Sequence, residues 1–204
     1  MNDLGRKNIL IDKIKVKQPT CPWWFLFTFD NPFRKIYQDP FTILEPYIEK
    51  GDTAVDLGCG MGYFSIPMAE MVGDNGKVIA VDLQERMLAG LRGRAEKSNL
   101  LERIKTHRCT QDQIGISEIV DFVLAFWMVH EVHNSRSFLE QIRNMLKAGG
   151  QLLIAEPYIH VSRNKFQEMV AMLNDVGFSM LGSPAIGFSR SILVEKDRQD
   201  GNNC

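Results

Sequence analysis

Cysteine is scarce and scattered in this 204-residue chain: Cys21, Cys59, Cys109 and Cys204 lie far apart and form no C-x-x-C pair. That excludes a small disulfide framework and a closed zinc site, and points to reduced thiols in a cytoplasmic setting. An excess of charge of either sign is missing too, with 24 Lys and Arg against 25 Asp and Glu. No whole-molecule field would draw in a polyanion or an acidic membrane, so neither nucleic acid nor membrane is expected as a partner. No apolar run reaches about 18 residues, and the opening MNDLGRKNILIDKIKVK alternates apolar with charged residues where a signal peptide needs a continuous apolar stretch. The expected localisation is cytoplasmic.

What is present is enough for one domain. At 45% hydrophobic and 24% charged residues, a chain of this length buries roughly 70% of its unfolded-state surface. Aromatics crowd one segment: Trp23, Trp24, Phe25, Phe27, Phe29, Phe33, Tyr37 and Phe41, punctuated by Pro19, Pro22, Pro32 and Pro40. Such a segment cannot form one long helix, and so much aromatic surface left in water would aggregate. Residues 1–40 are therefore expected to form a cap of short helical turns, 41–196 the main domain, and 197–204 a disordered tail. Phe41, Leu44, Tyr47 and Ile48 recur at helical spacing, with Gly51-Asp52 closing that helix.

A regular alternation follows. Strands are expected at 53–57 (TAVDL), 77–81 (KVIAV), 104–107, 119–126 (IVDFVLAF) and 151–155 (QLLIA). Between them run helical stripes: Phe64, Met68, Met71, Val72; then Met87, Leu88, Leu91, Ala95; then Phe138, Leu139, Ile142, Met145, Leu146, capped by Ser135 and ended by Gly149. Pro67 sits near the first turn of its helix, where a missing N–H does least harm. A last helix carries Phe166, Met169, Val170 and Leu173 between Ser162 and Gly177, and segments near 178–181 and 189–195 form a hairpin. Strand–helix alternation of this kind argues a parallel sheet covered on both faces. No internal repeat is visible.

In such a sheet ligands bind beyond the carboxyl ends of the strands, where strand order reverses. TAVDL runs directly into Gly58-Cys59-Gly60-Met61-Gly62, whose glycines let backbone approach a ligand while the following helix offers unpaired N–H groups. Asp82 ends the next strand, where a carboxylate can accept hydrogen bonds from both ribose hydroxyls. The dinucleotide fingerprint needs glycine at position 63, which is Tyr63, so a nicotinamide cofactor is disfavoured. Asp56, just before the loop, would repel a pyrophosphate but suits a ligand bearing an ammonium group.

VDLGCGMGYFSI, followed by VIAVD, IVDFVLAF and LKAGGQLLIAEP, resembles the class I S-adenosylmethionine-dependent methyltransferases in order and spacing. The resemblance implies an α/β, Rossmann-like, doubly wound seven-stranded sheet, mostly parallel with an antiparallel last strand. It implies that Asp56, Gly58, Gly60 and Gly62 hold the methionine part of S-adenosylmethionine, Asp82 its ribose, and Ala125 and Phe126 its sulfonium region, with Cys59 and Leu83 also among the cofactor contacts. The family's acidic adenine contact is absent: Thr110 or Gln111 stands there, or Asp112 reaches in. The expected activity is methyl transfer to a small-molecule acceptor. The alternatives are a non-catalytic cofactor-binding member of the fold and a nicotinamide-dependent reductase.

Residues after the fourth strand commonly face substrate in this family, and here they include Trp127, His130 and Glu131. Methyl transfer from an activated sulfonium relies mainly on alignment, but His130 or Glu131 could take a proton from the acceptor. The bland reading leaves His130 as a local cap and Glu131 solvated. His130 and His133 are three apart, not in the H-E-x-x-H spacing of zinc proteases, so no metal is expected. Glu156 and Tyr158, after the fifth strand, and Trp23 and Trp24 in the cap are further candidate substrate contacts; for the tryptophans the competing reading is cap core. Cys59 sits at a helix N-terminus, which could lower its pKa, and Cys21 or Cys109 could serve a thiol-based metalloid acceptor.

Overall fold

The computed structural model describes residues 34–198. Trp23, Trp24 and Cys21, most of the expected cap and the end of the expected tail lie outside the described residues.

The chain enters through α1 (Arg34–Tyr37) and α2 (Pro40–Leu44). Asp39 caps α2 by accepting from the Thr42 N–H at 3.0 Å, and Pro40 takes the first helical position, where it costs nothing. The helix stops sooner than the stripe from Phe41 to Ile48 implies, because Pro46 has no N–H to continue it; Tyr47 and Ile48 N–H groups both turn back to the Leu44 carbonyl. There follow β1 (Thr53–Leu57), α3 (Ser65–Val72), β2 (Lys77–Asp82), α4 (Glu85–Lys97), β3 (Ile104–Arg108), β4 (Val120–Phe126), α5 (Ser135–Met145), β5 (Leu146–Pro157), α6 (Arg163–Val176), β6 (Phe178–Gly182) and β7 (Ser189–Lys196).

The sheet order is β3-β2-β1-β4-β5-β7-β6. Strands β1 to β5 pair in parallel, and β7 inserts antiparallel between β5 and β6. This is the expected seven-stranded α/β architecture. Strand order reverses between β1 and β4, which opens a crevice at their carboxyl ends. Because β7 runs backwards, its first residue, Ser189, pairs with Pro157 at that same edge.

Side-chain alternation sorts the core onto two faces. Ala54, Phe122 and Leu124 pack with Leu44, Met68, Leu88 and Leu91 from α2, α3 and α4. Val55, Leu57, Val123 and Ala125 pack with Phe138, Leu139, Ile142 and Leu173 from α5 and α6.

Two helix ends differ from expectation. Asn134, not Ser135, caps α5, accepting from the Ser137 N–H at 3.1 Å; the Asn side chain and its position one residue earlier suit the cap equally well by type. Gly149 does not end α5, since Leu146 already pairs with Val120 and the helix passes straight into β5. At the other end α6 behaves as expected: Ser162 caps it and Gly177 closes it in the left-handed region at φ +94°. Asp197, placed in the expected tail, is tied down by the Ser179 hydroxyl at 2.6 Å.

Candidate functional site

The loop between β1 and α3 is shaped by glycine. Gly58, Gly60 and Gly62 all have positive φ, at +71°, +53° and +87°. A Cβ on Gly62 would collide with Leu91, whereas one on Gly60 would meet nothing within 4 Å. Gly62 is thus required by packing, while Gly60 keeps a stretch of backbone bare at the crevice. The Gly60 N–H donates to Asp82 Oδ2 at 3.0 Å and the Gln84 N–H to Oδ1 at 2.8 Å. The carboxylate ending β2 is therefore held rigidly against the loop, although burial raises its pKa.

Asp56, near the end of β1, is buried. Its residue parity puts it on the α2–α3–α4 face, where it is 2% exposed and accepts from the Ser65 hydroxyl at 2.5 Å. Burial is the main reason its pKa rises to about 7, with Asp82 adding to the rise and Ser65 and Arg34 opposing it. Cys59 is buried as well, and burial pushes its thiol well above the usual value, the reverse of the lowering that a helix N-terminus suggests. Burial likewise lifts Cys109 to about 11, which leaves little thiolate for a metalloid acceptor.

A second set of groups gathers at the ends of β4 and β5. Trp127 takes φ +57°, with its N–H on the Ala155 carbonyl at 2.8 Å and its indole N–H on Ser189 Oγ at 2.7 Å. Met128 stands against Gly58, so this turn abuts the glycine loop. Glu156, 1% exposed, accepts from the Val129 N–H at 2.9 Å through one oxygen and lies 2.6 Å from His130 Nδ1 through the other. A carboxylate there places a proton on Nδ1 and leaves Nε2 as the accepting nitrogen. Glu156 raises the His130 pKa, overcoming the opposite effect of burial. The His160 ring lies parallel to that of His130, centroids 5.4 Å apart. Glu131 has its carboxyl held above the ordinary range, chiefly by desolvation. Among the described residues no group of three or more His, Cys, Asp and Glu side chains is arranged to hold a metal ion.

A model of the family described as "Methyltransferase domain" matches residues 48–183. The chain belongs to this family. Over 109 residues it is 28% identical to a demethylmenaquinone methyltransferase of Oceanobacillus iheyensis, covering 53% of this chain and 46% of that protein. Over 148 residues it is 26% identical to a ubiquinone/menaquinone biosynthesis C-methyltransferase of Haemophilus ducreyi, covering 72% of this chain and 55% of the relative. The chain thus spans about half the length of these curated relatives. A shorter match, 36% over 55 residues, is to a 23S rRNA (uracil-C5) methyltransferase of Acinetobacter baumannii, covering 27% of this chain and 12% of that one. In fold it is similar to a SAM-dependent methyltransferase from Aquifex aeolicus, with TM-score 0.78 and 23% identity over 86% of this chain and 99% of the other. A SAM-dependent O-methyltransferase from Thermotoga maritima gives TM-score 0.65 and 21% identity over 80% and 66%.

S-adenosylmethionine is the cofactor that membership of this methyltransferase family implies, and the residues present suit it. The bare backbone at Gly60 and the pinned carboxylate of Asp82 are the groups that would hold its nucleoside, since a carboxylate accepts from ribose hydroxyls. Leu83, Ala125 and Phe126 lie at the ends of β2 and β4, beside that cradle, with Ala125 and Phe126 buried. Thr110 and Gln111 are exposed after β3, and Thr110 Oγ1 accepts from the Gln113 N–H at 3.1 Å. Tyr158 is exposed beneath the Arg190 guanidinium, 4.7 Å from its ring centre. Arg34, Ser189 and His160 stand at this edge without any motif to announce them; only the topology brings 34, 127 and 189 together. No helix among the described residues is long and apolar enough to cross a membrane.

Proposed function

We propose that this protein transfers a methyl group from S-adenosylmethionine to a small, apolar, ring-bearing acceptor, with His130 as the base that takes the acceptor's proton. The observation that carries the reading is the glycine loop locked onto Asp82 at the reversal point of a methyltransferase-family sheet. When bound, the cofactor supplies an activated methyl group that any aligned nucleophile can accept. The chain's task is then alignment, exclusion of water and removal of one proton.

Gly60 and Asp82 are proposed to fix the nucleoside, and the Trp127 turn to close the other wall. Trp127 is well suited to this, since its indole is anchored to Ser189 across the edge. Glu156 holds the His130 ring by Nδ1, so Nε2 keeps one orientation and can accept a proton from a hydroxyl or an activated ring carbon. Tyr37, Tyr158, Ile159 and Phe188 leave apolar surface exposed near this edge, with the Tyr37 and Phe188 rings packed edge to face at 4.9 Å. That surface, and the two relatives named for quinone methylation, support a planar apolar acceptor over a polyanion, as does the balanced charge.

Calorimetric titration with S-adenosylmethionine, S-adenosylhomocysteine, NADH and NADPH tests the first half. Micromolar binding of the adenosyl ligands alone supports it, and a preference for the nicotinamides overturns it. Release of S-adenosylhomocysteine against a panel of hydroquinones, catechols and a ribosomal RNA transcript tests the second. Turnover on the RNA alone would overturn the acceptor class, and tight cofactor binding without any turnover would favour a non-catalytic role.

A further inference from the structure

Arg190, the second residue of β7, is partly buried and forms no ion pair among the described residues. In the antiparallel ladder it stands directly opposite Glu156, and alternation puts both side chains on the α5–α6 face of the sheet, with Ile154 and Ile192. An acid and a base so placed ordinarily pair across the strands. Here Glu156 is already engaged by the Val129 N–H and by His130 Nδ1. Arg190 turns to other partners: Nη1 donates to the Val161 carbonyl at 2.8 Å, and the guanidinium lies over the exposed Tyr158 ring. The chain leading to Arg190 is fixed at three successive residues. Ser189 holds the Trp127 indole, the Phe188 carbonyl accepts from the Tyr158 N–H at 3.1 Å, and the Gly187 carbonyl accepts from the amide of the fully buried Gln38 at 2.7 Å.

Glu156 therefore separates two groups on the same face: Arg190 opposite it in the ladder, and His130 at 2.6 Å from its carboxylate. A ring bearing substituents at both ends can span from one to the other. The exposed rings of Tyr158 and Phe188 adjoin the guanidinium and offer such a ligand apolar contact. Guanidinium is weakly hydrated, keeps its charge, stacks by its face on an aromatic ring and recognises a carboxylate by its edge. With its face on Tyr158 and its charge unanswered by Glu156, Arg190 has the means to bind one carboxylate. Resting on the proposed function above, we infer that the acceptor is an aromatic monocarboxylate, an otherwise apolar ring whose carboxylate pairs with Arg190 while the group to be methylated faces His130.

Calorimetric titration tests this in protein first saturated with S-adenosylhomocysteine. The probes are hydroxybenzoates and hydroxycinnamates, each beside its methyl ester, titrated into the unmodified protein, Arg190→Met and Arg190→Lys. The ester keeps the ring and the hydroxyl and removes the charge. A charged hydrogen bond predicts that the unmodified protein binds at least one acid about 10- to 100-fold tighter than its ester. Arg190→Met should bring that acid down to the affinity of its ester, leaving the ester within about twofold, and Lys should recover part of the preference. Met also gives up the bond to Val161, and a loosened start of α6 would weaken acid and ester alike, so equal losses overturn the inference. An acid preference that survives in Arg190→Met overturns it, and so does the absence of acid binding to the unmodified protein. These results spare the cofactor reading, because S-adenosylhomocysteine has bound first. No heat from S-adenosylhomocysteine itself would overturn that reading and the inference with it.

Discussion

Replacing Asp56 by Asn should change how stability depends on pH. In the folded protein the Asp56 carboxyl titrates near 7 against an ordinary 3.8, chiefly because burial penalises its charge. The folded state therefore holds a proton that the unfolded state has released, so Asp56 contributes a loss of stability that grows as pH rises from the unfolded to the folded pKa and is constant above it. At about 1.4 kcal/mol per pKa unit the full penalty is roughly 4 kcal/mol, of which about 3 kcal/mol develops between pH 5 and pH 8. Asn keeps an oxygen for the Ser65 hydroxyl and cannot ionise. Its extra buried N–H adds a cost of about 1–3 kcal/mol that does not vary with pH, so the slope and not the absolute stability carries the answer. Urea unfolding of both proteins at several pH values measures it, and titrations common to both largely cancel in the difference. Parallel profiles would show that Asp56 ionises freely in the folded protein and that its burial has been misjudged.

Gly60→Val should fold, because the space beside Gly60 is open, at a strain cost of about 1–2 kcal/mol for its positive φ, but should lose cofactor binding in a calorimetric titration; normal affinity would move the ligand off the loop. Gly62→Ala should instead lower the urea midpoint, since its Cβ meets Leu91, by about 1–3 kcal/mol of overpacking. Asp82→Ala should weaken S-adenosylhomocysteine by about 1–3 kcal/mol, and should also cost some stability, because the Gly60 and Gln84 N–H groups lose their acceptor; unchanged affinity removes Asp82 from the site. His130→Ala should slow single-turnover methyl transfer about 10²- to 10⁴-fold with little change in cofactor affinity. Because Glu156 raises the His130 pKa, the base form gathers only above the ordinary histidine value, and Glu156→Gln should shift the rising limb of the rate–pH profile to lower pH. An unmoved limb would mean that another group sets it.

Much of the fold was legible because it follows from local pattern. TAVDL, KVIAV and the stripes on α3 and α4 each state their own period, and turn chemistry at Gly177 and Ser162 marks ends that the structure keeps. The exceptions are also local in cause: Pro46 cuts α2 short, and an Asn beside a Ser competes for one cap. The contact between the glycine loop and Asp82 was legible because both ends of it are strand termini. Counting by twos from Ala54 puts Asp56 on the α3 face, where it meets Ser65. Arg34 was beyond such reading. Its guanidinium meets the rings of Tyr63, Phe126 and Trp127, and Gln38 meets Gly187 across 149 positions; nothing local announces a contact that only strand order creates.

Gln38 hangs on the carbonyl of Gly187, in the connection 183–188 between β6 and β7, while every strand pair of the sheet lies outside that connection. A protease nick there would spare the sheet's ladders and still cut the strap that steadies the entry of the chain. Nicked protein would then keep its far-ultraviolet signature and its apparent mass under native conditions, while the floor of the crevice outlived the wall that α1 gives it.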